Sequence, residues 1–174
     1  MIKLQIKRMV WTPLDLKVIS CGLEGAVYEW EVATGSRVGE VITKSCSYSD
    51  ICVTTDGKII YSVGSDGYIK EMTASQVQVL FSNIYLFYIY IYMPVVYTLV
   101  MASLCLQIVR EVVVGDAKKT DLVKLDAVVL SRSNLMLFTA GLNGVVYSVK
   151  YPLTDPAIYS EYHVHFGDIT HVGN

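Results

Sequence analysis

Short β-prone runs alternate along the chain with tight glycine turns. Val18-Ile19-Ser20-Cys21, Tyr61-Ser62-Val63 and Leu137-Phe138-Thr139-Ala140 lead into Gly22-Leu23-Glu24-Gly25, Gly64-Ser65-Asp66-Gly67 and Gly141-Leu142-Asn143-Gly144. Each turn opens a second run, Ala26–Trp30, Tyr68–Met72 and Val145–Val149, with an apolar residue at its second and fifth positions. Strand, tight turn, strand is a hairpin. Three hairpins on one template predict a repeat architecture rather than an enzyme built around one active site.

A second landmark fixes the size of the unit. Eleven residues before the first glycine of each turn, an apolar strand ends, at Trp11, Val53 and Leu130. A turn follows each: Thr12-Pro13-Leu14-Asp15, Thr54-Thr55-Asp56-Gly57 and Ser131-Arg132-Ser133-Asn134. A fourth strand is predicted over Arg37–Thr43 and again over Ala157–His163. The first two units lie 42 residues apart. Four strands on that period describe a WD40-type propeller blade. The predicted fold class is therefore all-β: a partial WD40-like β-propeller of about three four-stranded antiparallel blades.

The third unit arrives late, 77 residues after the second. The excess sits in Val77–Gln107, where 24 of 31 residues are apolar and none is charged. Without that segment Gln76 meets Ile108-Val109-Arg110-Glu111-Val112-Val113-Val114, a fourth strand for the second blade. The predicted organisation is two blades over 1–76, an apolar insertion over 77–107, and the end of blade two, a third blade and the start of a fourth over 108–174. Three readings of the insertion stay open. Leu80–Leu106 is long enough to cross a bilayer, although Pro94 interrupts it and tyrosines lie within it. Ile89-Tyr90-Ile91-Tyr92 has strong strand propensity, which suits a β insertion. Val codons begin GT and Gln can be encoded CAG, so the segment also reads as a retained intron.

Composition narrows the function. The net charge is −2 and no basic stripe occurs, so nucleic-acid binding is not expected. Charges in Met1–Arg8 interrupt the apolar core a signal peptide needs. Cys21, Cys46, Cys52 and Cys105 lack metal or redox spacing. His163, His165 and His171 are read as structural: His165-Phe166-Gly167-Asp168-Ile169 fits the position just before the first strand of a next blade. No phosphate loop, nucleophile elbow or His-Glu-x-x-His motif occurs. No catalytic residue, metal site or cofactor is predicted, and the chain is not expected to be an enzyme.

The singled-out positions form a structural repeat signature: Gly22, Glu24, Gly25 and Trp30; Gly64, Asp66 and Gly67; Gly141, Asn143 and Gly144. Glu24, Asp66 and Asn143 stand where a short acceptor binds backbone N–H groups of its own turn. Asn cannot act as a general acid or base, which argues against a ring of catalytic carboxylates. Trp30-Glu31 stands at the Trp-Asp place of such repeats, where the other copies have Met72-Thr73 and Val149-Lys150. The apolar side chain there fills the slot between blades. Three blades are fewer than a closed propeller holds, so two blade faces are left for a partner to cover.

Outside 77–107 the chain resembles the cilia- and flagella-associated WD-repeat proteins, whose propellers precede a long coiled coil. The segments that carry the likeness are Ser20–Trp30, Lys44-Ser45-Cys46-Ser47-Tyr48, Ile59–Asp66 and Gly144–Leu153. The resemblance implies a non-catalytic axonemal scaffold of the cilium or flagellum. It also implies protein partners among axonemal or dynein-arm components, and a role in inner dynein arm assembly or regulation. The alternative reading is a single-pass membrane protein with a small β domain, in which membrane contact depends on 77–107 being a real span.

Overall fold

A computed structural model describes residues 5–74, 106–115 and 122–172. Apart from one 3-10 turn at Pro13–Asp15, every regular element among them is a strand. Blade one is β1 (Ile6–Trp11), β2 (Lys17–Gly22), β3 (Ala26–Glu31) and β4 (Arg37–Ile42). Blade two is β5 (Tyr48–Val53), β6 (Ile59–Gly64), β7 (Tyr68–Thr73) and β8 (Gln107–Val113). Blade three is β9 (Leu125–Leu130), β10 (Met136–Gly141), β11 (Val145–Lys150) and β12 (Tyr159–His163). Each blade is an antiparallel four-stranded sheet in simple sequential order.

The repeat is visible at the level of single bonds. The first strands end at Trp11, Val53 and Leu130, the positions expected from the 11-residue spacing. The next residues, Thr12, Thr54 and Ser131, each receive and return the same bonds. Their amides donate to the carbonyls of Lys17, Ile59 and Met136 at 2.8–2.9 Å. Their hydroxyls accept from the amides of those same three residues at 3.0–3.1 Å. A hydroxyl at this place closes the turn that joins the first two strands, as Ser and Thr do in side-chain-stabilised turns. Each first strand also carries a register shift, at Ile6/Arg8, Tyr48/Asp50 and opposite Ala140/Gly141. A bulge at the same place three times bends the inner strand of every blade alike.

The two joints between blades hold the core. In the first, Ile51, Ile60 and Met72 of blade two share one buried cluster with Ile19, Cys21 and Val27 of blade one. In the second, Val128, Leu137 and Val149 of blade three share a cluster with Tyr61, Val63 and Ile69 of blade two. Counted from the turn glycines, the two sets occupy equivalent positions, so both joints have the same construction. Blade three's leading positions repeat those of blade two, and each blade buries alternate residues on opposite faces because the strand period is two.

The 77–107 segment lies outside the described residues except for its last two. Leu106 is buried in the first joint's cluster, and Gln107 opens β8 opposite Thr73. The readings of the rest, whether span, β insertion or intron, fall on residues that are not described. No helix among the described residues is long and apolar enough to cross a membrane. After β12 no further strand forms among the described residues. Ile169 nevertheless takes up the place at which a next inner strand would start: it is buried, and its amide donates to the carbonyl of Gly141 at 3.1 Å.

Candidate interaction surface

The three glycine turns use one geometry. The amides of Gly25, Gly67 and Gly144 donate to the carbonyls of Gly22, Gly64 and Gly141 at 3.3–3.4 Å. The second glycine of each turn has φ between +70° and +77°, where an L side chain is strained. The first glycine is required for space. A Cβ on Gly141 would lie 2.0 Å from the carbonyl oxygen of Lys124, and one on Gly64 would lie 2.2 Å from that of Ser47. On Gly22 it would meet only the movable carboxylate of Glu24. Gly141→Ala and Gly64→Ala are therefore expected to lower stability by roughly 1–3 kcal/mol or more, and Gly22→Ala by clearly less. Urea denaturation of the three variants checks the ranking.

The side chain between the glycines links its own turn to the following strand. The Asn143 Oδ1 accepts from the amide of Val145 at 3.2 Å, and its Nδ2 donates to the Tyr147 hydroxyl at 2.8 Å. Asp66 does the same with charge: its Oδ1 accepts from the Tyr68 amide at 3.4 Å and its Oδ2 pairs with Lys70 Nζ at 2.6 Å. Glu24 departs from the pattern. Its longer carboxylate folds over Gly22, and its Oε2 is buried without a hydrogen-bond partner among the described residues.

Two residues that the sequence pattern did not single out carry buried polar contacts. Lys70 is 1% exposed, with its ammonium 5.2 Å from the centre of the Tyr48 ring. Burial works to lower its pKa, but the Asp66 hydrogen bond and the neighbouring Tyr48 and Cys46 hold it above the ordinary lysine value. Asp50 ties the three blades together. Its Oδ1 lies 3.3 Å from Arg8 Nε in blade one and accepts from its own neighbour Ile51, and its Oδ2 accepts from the amide of Val128 in blade three at 3.0 Å. Burial pushes its carboxyl above the usual range against the pull of those two amides and of Arg8. The thiol of Cys21 nearby is pushed up to about 12, chiefly by burial and then by Asp50. A buried thiol held protonated is a poor nucleophile.

Other predicted residues are dispersed. His163, His165 and His171 are all exposed, and no group of three potential metal ligands occurs among the described residues. The backbone amide of His165 donates to the carbonyl of Gly144 at 3.3 Å. Trp30 differs from its equivalents: Met72 and Val149 are fully buried, whereas Trp30 is 36% exposed. The reason is position. Met72 and Val149 lie in joints, and Trp30 lies on a face of blade one that no other described blade covers. Its indole N–H donates to the Ser20 hydroxyl at 2.9 Å, and its ring packs at 6.0 Å from Tyr28. Met9 and Trp11, 56% and 57% exposed, stand on the same face. A contiguous exposed apolar patch of this kind marks a contact surface.

The comparisons with known proteins agree with this geometry. No family model matches the chain. Cilia- and flagella-associated protein 57 of Mus musculus is 31% identical over 165 residues, which is 95% of this chain and 10% of that protein. Cilia- and flagella-associated protein 57 C of Tetrahymena thermophila is 26% identical over 82 residues, 42% of this chain and 6% of that protein. The chain thus spans about a tenth or less of the length of the curated relatives it matches. Among solved structures, U3-55K and the RRP9 WD40 repeats each match at a TM-score of 0.67 with 13% identity. Each match covers 97% of this chain and 42% of the solved one. At that identity the likeness carries the fold, a set of WD40 blades.

Proposed function

We propose that this chain, a cilia- and flagella-associated WD-repeat protein by its sequence relationship, is a non-catalytic protein-interaction scaffold of the ciliary or flagellar axoneme. The observation that carries the reading is the pairing of that relationship with a blade face, bearing Met9, Trp11 and Trp30, that no other described blade covers. The polar groups point the same way. Asp66, Lys70, Asp50 and Asn143 are consumed by turns and joints, where they hold blades in register. The titratable groups that depart most from their ordinary values are Cys21, Cys52 and Tyr61, which pack into the joints between blades. Blades of this kind present loops and faces to other proteins, and fold alone does not select the partner.

Inner dynein arm components are the proposed partners within the axoneme. Proximity labelling with the chain fused to a biotin ligase in ciliated cells tests this. Dynein-arm proteins should be enriched over a Trp11→Asp control at equal expression. Equal labelling by the two fusions, or labelling confined to membrane proteins, overturns the assignment.

A further inference from the structure

One pair of facing positions on the third and fourth strands holds a cation in two of the blades. In blade one Tyr28 stands opposite Glu40, and Arg37 supplies the cation. Its guanidinium lies 5.2 Å from the centre of the Tyr28 ring, and its Nη1 lies 3.1 Å from Glu40 Oε2. In blade two Lys70 stands opposite Glu111 and is itself the cation. It is held by Asp66 at 2.6 Å, by Glu111 at 3.6 Å and by the Tyr48 ring. Blade three repeats the tyrosine and the glutamate of blade one, with Tyr147 opposite Glu161. Neither cation recurs. Tyr147 takes the place of Lys70, and Tyr159 takes the place of Arg37, opposite Val149 as Arg37 is opposite Trp30. Among the described residues no lysine or arginine pairs with Glu161.

At this place blade three has a recess of about 310 Å³. Gly115 and Val123, on the connection from blade two, form one wall, and Tyr147, Tyr159, Glu161 and His163 form the other. Both walls of the joint thus belong to this chain. The Tyr147 and Tyr159 rings meet edge to face, with centres 5.9 Å apart and planes at 72°. Both hydroxyls are engaged: Tyr147 Oη accepts from Asn143 Nδ2 at 2.8 Å, and Tyr159 Oη donates to the Gly115 carbonyl at 3.0 Å. These bonds fix the rings. Glu161 is exposed. Burial first, and the Glu161 charge after it, raise the Tyr147 phenol above its ordinary value, so the carboxylate acts on the recess as well as on solvent.

From the comparison of the three blades we infer that this recess binds a guanidinium, supplied by an arginine side chain of another protein. A guanidinium stacks on a tyrosine ring and pairs with a carboxylate through two parallel N–H bonds. Blade one makes the same combination with its own Arg37. A hard metal ion would call for several oxygen ligands, and no group of three potential metal ligands occurs among the described residues. That the arginine belongs to a protein partner rests on the scaffold reading; the guanidinium site does not.

NMR titration of the full chain, with isotope-labelled tyrosine rings, against acetyl-Gly-Arg-Gly-amide tests the site. The Tyr147 and Tyr159 signals, assigned from Tyr147→Phe and Tyr159→Phe, should shift with a dissociation constant on the order of 1 mM, as suits one side chain in one recess. The matching citrulline peptide is neutral and nearly the same shape, and it should bind at least about tenfold more weakly. Glu161→Gln should weaken the arginine peptide by about as much, with an unchanged circular dichroism spectrum because Glu161 is exposed. Glu111→Gln, the matching change in blade two, should leave binding as it was. Equal binding of the citrulline peptide, indifference to Glu161→Gln, or no shift at all would overturn the inference. Shifts seen only after Lys118 and Lys119 are replaced by alanine would overturn it too, because the chain would then supply its own cation. Binding of free arginine without binding of the peptide would overturn the protein source. Peptide binding without enrichment of axonemal proteins in the proximity labelling would count against the scaffold reading and leave the guanidinium site standing.

Discussion

Replacing Asp66 with alanine is expected to destabilise the chain by about 3–5 kcal/mol, because it leaves the ammonium of Lys70 buried without its main partner. Glu111, 3.6 Å away and 44% exposed, compensates in part. The loss belongs to the broken pair rather than to the absence of charge. Blade three builds the same turn from Asn143 and Tyr147 with no ion at all. The double replacement of Asp66 by Asn and Lys70 by Tyr transplants that pair into blade two. It should recover most of the lost stability, to within about 1 kcal/mol of the wild type, the range of one net hydrogen bond. Chemical denaturation of the single and double variants distinguishes the two. A single variant as stable as the wild type would show that Asp66 does not hold Lys70 in place.

Asp50 should be nearly as sensitive, through a different part of the structure. Asp50→Ala leaves the amides of Ile51 and Val128 unpaired at the centre of the blades, at about 1–3 kcal/mol each. Asp50→Asn keeps one acceptor oxygen and should lose about half as much. The dependence on pH has a defined sign. The folded-state pKa lies above the ordinary 3.8, so the folded state binds the extra proton. This group's contribution is fully present below about 3.8 and is lost as pH rises through the folded-state value. Arg8 and His171 face it and oppose the shift, while Cys21 and Cys52 are the other titratable groups around it. Mild acidification should thus not loosen the joint through Asp50. The stability difference between wild type and Asp50→Asn, measured by urea denaturation at pH 4, 5 and 7, should move in favour of the wild type as pH falls. The opposite slope would show that Asp50 is held chiefly by charge pairing with Arg8.

Much of the fold was legible because its signals are local. The ends of the inner strands and the glycine turns follow from residues within a few positions of one another, and they recur at fixed spacing. The outer strands were less sharply marked: β4 ends at Ile42 and β12 begins at Tyr159, one residue short of the expected end and two residues after the expected start. They lie at the rim, exposed over much of their length, where an alternating pattern has little to bury. Lys70 was hidden because a charged residue within an apolar strand reads as solvent-facing; its partner sits four residues earlier in the turn. Asp50 was hidden for a stronger reason: its partner Val128 is 78 residues away, across the late third blade. Trp30 was expected to fill a slot between blades. Its exposure follows from being on a face that no other described blade covers, a matter of neighbours rather than of pattern.

The same distinction explains why the functional reading rests on faces rather than on a cleft. Joint positions in blades two and three and their counterparts in blade one share their chemistry, and only the neighbour differs. The exposed apolar face of blade one is bordered by Arg37, stacked 5.2 Å over the Tyr28 ring. Burying such a face is worth roughly 25 cal/mol per Å² of apolar area, enough to make a few large side chains decisive. Trp11 and Trp30 are therefore the residues at which a change should separate binding from folding.

The most direct measurement is the partition of the full chain in isolated cilia. After non-ionic detergent removes the membrane and soluble matrix, the wild-type chain should remain with the axonemes and Trp11→Asp should be released at unchanged expression. Recovery of the wild type in the detergent-soluble fraction, or equal retention of both chains, would contradict it.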